Sequence, residues 1–97
     1  MKYSFKARLW VWPGGETKWR FITVPKADSE KIKKTVKVKR GFGSVRVQVK
    51  IGKTSWDTSI FPDSKSGTYL LPVKVSVRRA EGLEDGEIAQ ISFHTRD

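Results

Sequence analysis

The sequence predicts a mainly β domain of about six strands with two short helices, and three observations carry that reading. Ten Val and six Ile stand against four Leu, and branching at Cβ suits a pleated surface better than a helix. Apolar and charged residues alternate with period two along several segments, the signature of a half-buried strand. Gly and Pro punctuate the intervals between those segments, as turns require. A chain of 97 residues, 37% hydrophobic and 31% charged, has the size and composition of a single globular domain, residues 1–97.

From Tyr3 to Val11 the alternation is strict, with Tyr3, Phe5, Ala7, Leu9 and Val11 on one face and Lys2, Ser4, Lys6 and Arg8 on the other. Pro13-Gly14-Gly15 turns the chain, and Thr17–Val24, carrying Trp19 and Phe21, returns as the second arm of a hairpin. Pro25 ends that arm, since it cannot donate to a ladder. Asp28 or Ser29 is placed to cap a short helix to about Lys34, with Ala27 and Ile32 turned inward. Val36 and Val38 then alternate with Lys37 and Lys39 before the turn Arg40-Gly41-Phe42-Gly43. In the next strand Val45, Val47, Val49 and Ile51 oppose Ser44, Arg46, Gln48 and Lys50. Gly52-Lys53 reverses into Thr54–Phe61, followed by a loop over Pro62–Gly67.

Tyr69–Arg79 supports two readings. Alternation makes it a strand throughout. Boundary chemistry makes it a strand to Leu71 and then a helix from Pro72, with Val73, Val77 and Ala80 buried, Gly82 as a left-handed cap and Leu83 as the accompanying apolar contact. The helix is the expectation over Pro72–Glu81. Glu84-Asp85-Gly86 turns into a last strand, Glu87–Phe93, with Ile88 and Ile91 among its apolar residues. Val24-Pro25 and Leu71-Pro72 each precede a helix, a glycine and a strand. That echo points to a barrel with pseudo-two-fold symmetry.

The strings Phe5-Lys6-Ala7-Arg8-Leu9-Trp10, Trp19-Arg20-Phe21-Ile22-Thr23-Val24-Pro25 and Gly41-Phe42-Gly43-Ser44-Val45-Arg46-Val47 carry a family resemblance. So do Ile51-Gly52, Trp56-Asp57-Thr58-Ser59-Ile60-Phe61-Pro62, Leu71-Pro72-Val73-Lys74 and Val77-Arg78. Together, over nearly the whole chain and in order, they resemble the bacterial domain of unknown function nineteen-oh-five. The resemblance implies a double-split β-barrel capped by helices, and some members look to be fused to a domain associated with bacteriocin protection. Its second half also looks like the hairpin unit of transition-state-regulator and antitoxin DNA-binding proteins, which build a barrel from two chains. Here one chain supplies both halves, so a monomer is expected. The family carries no assigned activity.

Charge is the strongest compositional fact. Twenty Lys and Arg against ten Asp and Glu give +10, with residues 1–53 at +12 and residues 54–97 at −2. Such a field attracts polyanions and also keeps a small domain in solution. If Thr35–Ile51 folds as a ribbon about Gly41-Phe42-Gly43, then Lys37, Lys39, Arg46 and Lys50 share one face, with Arg40 at the tip. A two-stranded ribbon fits the major groove and displaces counterions from phosphates, and Phe42 or Trp56 offers a stacking surface for unpaired bases. The plainer reading is that these lysines solvate a sheet and guard its edge.

A second candidate is a pocket for a small anion among Trp56, Thr58, Ser59, Lys74 and Arg78. Lys74 and Arg78 lie four apart and would share a helix face, with Arg78 the bidentate donor. Against it, Trp56 is equally suited to the core and the hydroxyls to barrel backbone. Trp10, Trp12 and Trp19 crowd the first hairpin, either beneath a helix or as an exposed patch for a protein partner.

Catalysis has little to stand on. With no Cys and one His, His94, thiol chemistry and a multi-histidine metal centre are excluded. Gly52-Lys53-Thr54-Ser55 mimics the tail of a phosphate-binding loop, but Val47 stands where the motif needs its first glycine. Glu81, Glu84, Asp85 and Glu87 lack calcium-loop spacing. No apolar run approaches a membrane span and Met1–Trp12 lacks a signal-peptide core. The expectation is a cytoplasmic, non-catalytic binding module without cofactor or metal, its partner a nucleic acid, another polyanion, a small anion or a protein.

Overall fold

One strand serves both ends of the sheet. The computed structural model describes residues 1–15, 18–36, 39 and 41–96. Its first strand breaks at Leu9 into β1 (Lys2–Arg8) and β2 (Trp10–Val11). There follow β3 (Arg20–Thr23), α1 (Lys26–Thr35), a 3-10 turn at Gly41–Gly43, β4 (Val45–Ile51), β5 (Thr54–Asp63), β6 (Thr68–Pro72), α2 (Val75–Glu81) and β7 (Ile88–Thr95). Among the described residues the strands lie in the order β1-β7-β4-β5-β6-β3-β2, every pair antiparallel. The two end strands are successive in the chain, so the sheet curls until its ends meet at Leu9. That residue is fully buried, donates its N–H to the Glu87 carbonyl and accepts from the Gly86 N–H.

A second split lies in β5. Residues Thr54–Ile60 pair with β4, and Phe61–Asp63 pair with β6. The strand split at Leu9 likewise gives β1 to β7 and β2 to β3. Exchanging the two split strands, β3 with β6 and β4 with β7, leaves the whole pairing scheme unchanged. The mainly β, double-split, pseudo-two-fold reading is therefore the observed architecture, with a seventh strand because the first one breaks.

Alternation places the core correctly. Val45, Val47, Val49 and Ile51 are buried and pair across β5 and β7 with Ile60, Thr58, Phe93 and Ile91. Full burial of such side chains contributes about 1.5–3 kcal/mol each. α2 closes as expected, with Gly82 at φ 61° forming the left-handed cap and Leu83 donating its N–H to Arg78 O.

Five local expectations are corrected. The first hairpin shrinks to Trp10–Val11 against Arg20–Phe21, because β1 instead pairs along its length with β7. Pro25 is the N-cap of α1, not Asp28 or Ser29, since its fixed φ already suits helix entry. Ser29, rather than Ala27, turns inward beside Ile32. Pro72 ends β6 rather than starting α2, and Ala80 is exposed. Among the described residues of Thr35–Ile51 no ribbon forms: α1 runs through Thr35, and β4 is flanked by β5 and β7, which leaves no edge for another strand.

Candidate functional site

Directly paired residues on neighbouring antiparallel strands point to the same side of the sheet. The register therefore maps the outer face of β1-β7-β4-β5. One rung runs Lys2–His94–Gln48–Asp57, and the next runs Ser4–Ser92–Lys50–Ser55. Beyond them lie the pairs Lys6–Gln90, Arg8–Ile88 and Arg46–Ser59. Gln90 Nε2 donates to Ser4 Oγ at 2.9 Å across this surface. Among the described residues paired between these four strands, five cations thus share one face with one carboxylate, Asp57, which Arg96 approaches at 3.6 Å. A depression of ≈ 220 Å³ sits among Lys2, Gln48, Lys50, Ser55, Ser92 and His94.

The other half of the barrel wall is aromatic on its outer side. Trp10 pairs with Phe21, Phe21 with Pro72, and Leu70 with Phe61. Trp10 Nε1 donates to Thr23 Oγ1 at 2.9 Å, which holds its ring against Phe21 at a centroid distance of 5.4 Å. Trp19 stacks on Phe21 at 6.5 Å and 19°. Trp12, Trp19, Phe21, Phe61, Leu70 and Pro72 line an open groove of ≈ 510 Å³. In it Trp12, Trp19 and Phe61 are 45%, 56% and 41% exposed.

The sequence-derived sites come apart. Arg46 and Lys50 do share the cationic face, but Lys39 folds back on the end of α1, its Nζ donating to Val36 O at 2.5 Å. Lys37 and Arg40 lie outside the described residues. Phe42 is 96% exposed on the 3-10 turn, at φ 60°. In the proposed anion pocket, Trp56, Thr58 and Lys74 line a common cavity of ≈ 210 Å³ with Trp19, Asp57, Pro72 and Val73, at the split where β5 leaves β6. Ser59 points to the opposite side of β5, opposite Arg46. Arg78 lines a separate depression with Arg20, Glu84 and Asp85. The shared helix face fails because Lys74 is the extended N-cap of α2, at ψ 161°. Trp56 is half-buried and packs against the core.

The family model of a domain of unknown function (DUF1905) matches residues 5–93. The chain belongs to this family. A comparison with curated proteins finds no match to this DUF1905 chain.

Two shifted acid–base groups of this DUF1905 domain form one ion pair, in which Arg20 grips Asp85 through two hydrogen bonds of 2.9 and 3.0 Å. The bond holds the Asp85 carboxyl below its ordinary range and raises the guanidinium. Burial raises the Tyr69 phenol. Among the described residues no cluster of three His, Cys, Asp or Glu could hold a metal, and no helix is long and apolar enough to cross a membrane.

Sequence reading missed Lys2, Lys6 and Arg8 as partners of Arg46 and Lys50. The alternation of β1 already put the first three on one face, and only the adjacency of β1, β7 and β4 joins the two sets. Phe21, Phe61, Leu70 and Pro72 were equally hidden. Their outward parity is legible in each strand, but their shared groove is not.

Proposed function

We propose that this DUF1905 domain is a binding module, without catalysis of its own, that holds a polyanion on the outer face of β1-β7-β4-β5. The observation that supports it is the gathering of Lys2, Lys6, Arg8, Arg46 and Lys50 on one sheet face, where Asp57 is the one carboxylate among the described residues that pair between β1, β7, β4 and β5. Cations fixed on a rigid sheet neutralise a polyanion's charge and release its counterions, so binding weakens steeply with salt. The basic ribbon of the sequence reading gives way to a sheet face, while Arg46 and Lys50 keep their role.

Retention on heparin tests this. Arg46→Glu with Lys50→Glu lowers the eluting salt concentration far more than Lys31→Glu with Lys34→Glu, the same charge change on the exposed side of α1. Equal losses from the two pairs would assign retention to net charge alone and remove the site.

A second reading rests on the cavity shared by Trp56, Thr58 and Lys74. A small carboxylate or phosphate there raises the melting temperature of the wild type and leaves Lys74→Ala unchanged. A screen of such anions that shifts neither protein ends this reading.

A further inference from the structure

We infer that the polyanion is single-stranded nucleic acid, with phosphates on the cationic face and bases stacked along the aromatic groove. This rests on the polyanion reading and adds the second half of the barrel wall to it. The two halves share β5. Its outward residues run Ser55, Asp57, Ser59 and then Phe61, and Arg46 lies directly opposite Ser59. Phe61 lies two residues beyond Ser59 on the same side of β5, at the point where the strand leaves β4 for β6, and it lines the groove. The cationic face and the aromatic groove therefore meet along this strand.

Exposed rings are costly to keep in water unless something covers them. A duplex presents phosphates and keeps its bases inside, so it has no use for the groove. Heparin has charge and no base to stack. A single strand has both, and sequence-tolerant binders of single strands combine a basic track with aromatic platforms. A bilayer would take rings that project from a convex surface, whereas Trp12, Trp19, Phe21 and Phe61 line a concavity that also holds Asp63. That carboxylate accepts from Ser66 at 2.7 Å, suits the amino groups of bases and repels phosphate.

Phe42 stands on a turn beside the groove. Its turn abuts the groove at Pro62, which lies 3.3 Å from where a Cβ on Gly43 would sit. A bulky residue at positive φ is strained, and this ring is left almost wholly in water. Strain and exposure together mark a side chain held out toward a partner.

The test uses a labelled oligothymidylate, its duplex with oligoadenylate, heparin and anionic phospholipid vesicles, with anisotropy or retention and tryptophan fluorescence as readouts. Wild type binds the single strand more tightly than the duplex, with quenching of tryptophan emission. Phe61→Ala and Trp19→Ala, both folded by circular dichroism, each weaken the oligonucleotide about tenfold, the loss of one stacked base, and leave heparin retention unchanged. Arg46→Glu weakens both. Oligonucleotide binding indifferent to both aromatic variants, a duplex bound as tightly as the single strand, or vesicles bound in place of the oligonucleotide would each overturn the single-strand assignment with the polyanion reading intact. A wild type that fails to bind heparin at low salt overturns both.

Discussion

Glu81 accepts a 2.5 Å hydrogen bond from the hydroxyl of Thr54, which fastens the end of α2 to the β4–β5 turn. The same carboxylate oxygen accepts the Lys53 N–H at 3.3 Å. Gly52 makes the approach possible: it has a φ of 59°, and a Cβ there would lie 1.9 Å from Glu81 Oε1. The string Gly52-Lys53-Thr54 that mimics a phosphate-loop tail does hold an anion, one supplied by the chain itself.

Gly52→Ala therefore strains the turn and displaces the carboxylate together. We expect a loss of about 2 kcal/mol, half from the left-handed backbone and half from the hydrogen bonds. In a Glu81→Ala background the same substitution costs about 1 kcal/mol less. Urea denaturation of the four proteins measures the coupling, and strict additivity would mean that the contact contributes nothing.

Ser29 is fully buried, and its Oγ accepts the Tyr69 N–H at 3.0 Å while facing Val24 O at 3.3 Å. It joins α1 to β6 inside the core. Ser29→Ala leaves the strand N–H unsatisfied and lowers stability by about 1–3 kcal/mol. Ala27→Ser, two positions earlier on the exposed side, changes it by less than about 0.5 kcal/mol. Similar losses for the two would contradict the inward role of Ser29.

The Arg20–Asp85 pair sets an acid limit on the β7 end of the barrel. Hydrogen bonding to Arg20 holds the Asp85 carboxyl below its ordinary value of 3.8. A depressed folded-state pKa means that the stabilisation is complete above the unfolded value and is lost as pH falls through the folded one. Melting temperature should fall more steeply below about pH 4 in wild type than in Asp85→Asn. Parallel curves would show that the pair is open in solution.

Phe42→Gly relieves the positive φ and sacrifices no packing, since the ring is 96% exposed. Stability should rise by roughly 0.5–1 kcal/mol, read as a higher melting temperature, while oligonucleotide affinity falls. A lower melting temperature would mean that the ring packs in solution.

Much of this molecule was legible in the chain. The inward Val of β4, the Gly82 cap and the repeated strand-proline-helix pattern follow from interactions within a few residues, which local alternation and cap chemistry record. The anion pocket was half legible: Trp56 and Thr58 share a parity on one strand, but whether Lys74 or Arg78 joins them depends on where α2 begins. Pro72 misleads there because it suits both a first helical turn and the end of a strand whose N–H needs no partner.

By itself the sequence determined which side chains of each strand face outward and that the first half of the chain is strongly cationic. Tertiary structure alone decided that Lys2, Lys6 and Arg8 stand beside Arg46 and Lys50, and that Phe61 borders them. The reason is physical. Parity is a property of one pleated strand, whereas adjacency depends on contacts such as Tyr3 with Phe93, between residues at opposite ends of the chain whose pairing no local preference encodes.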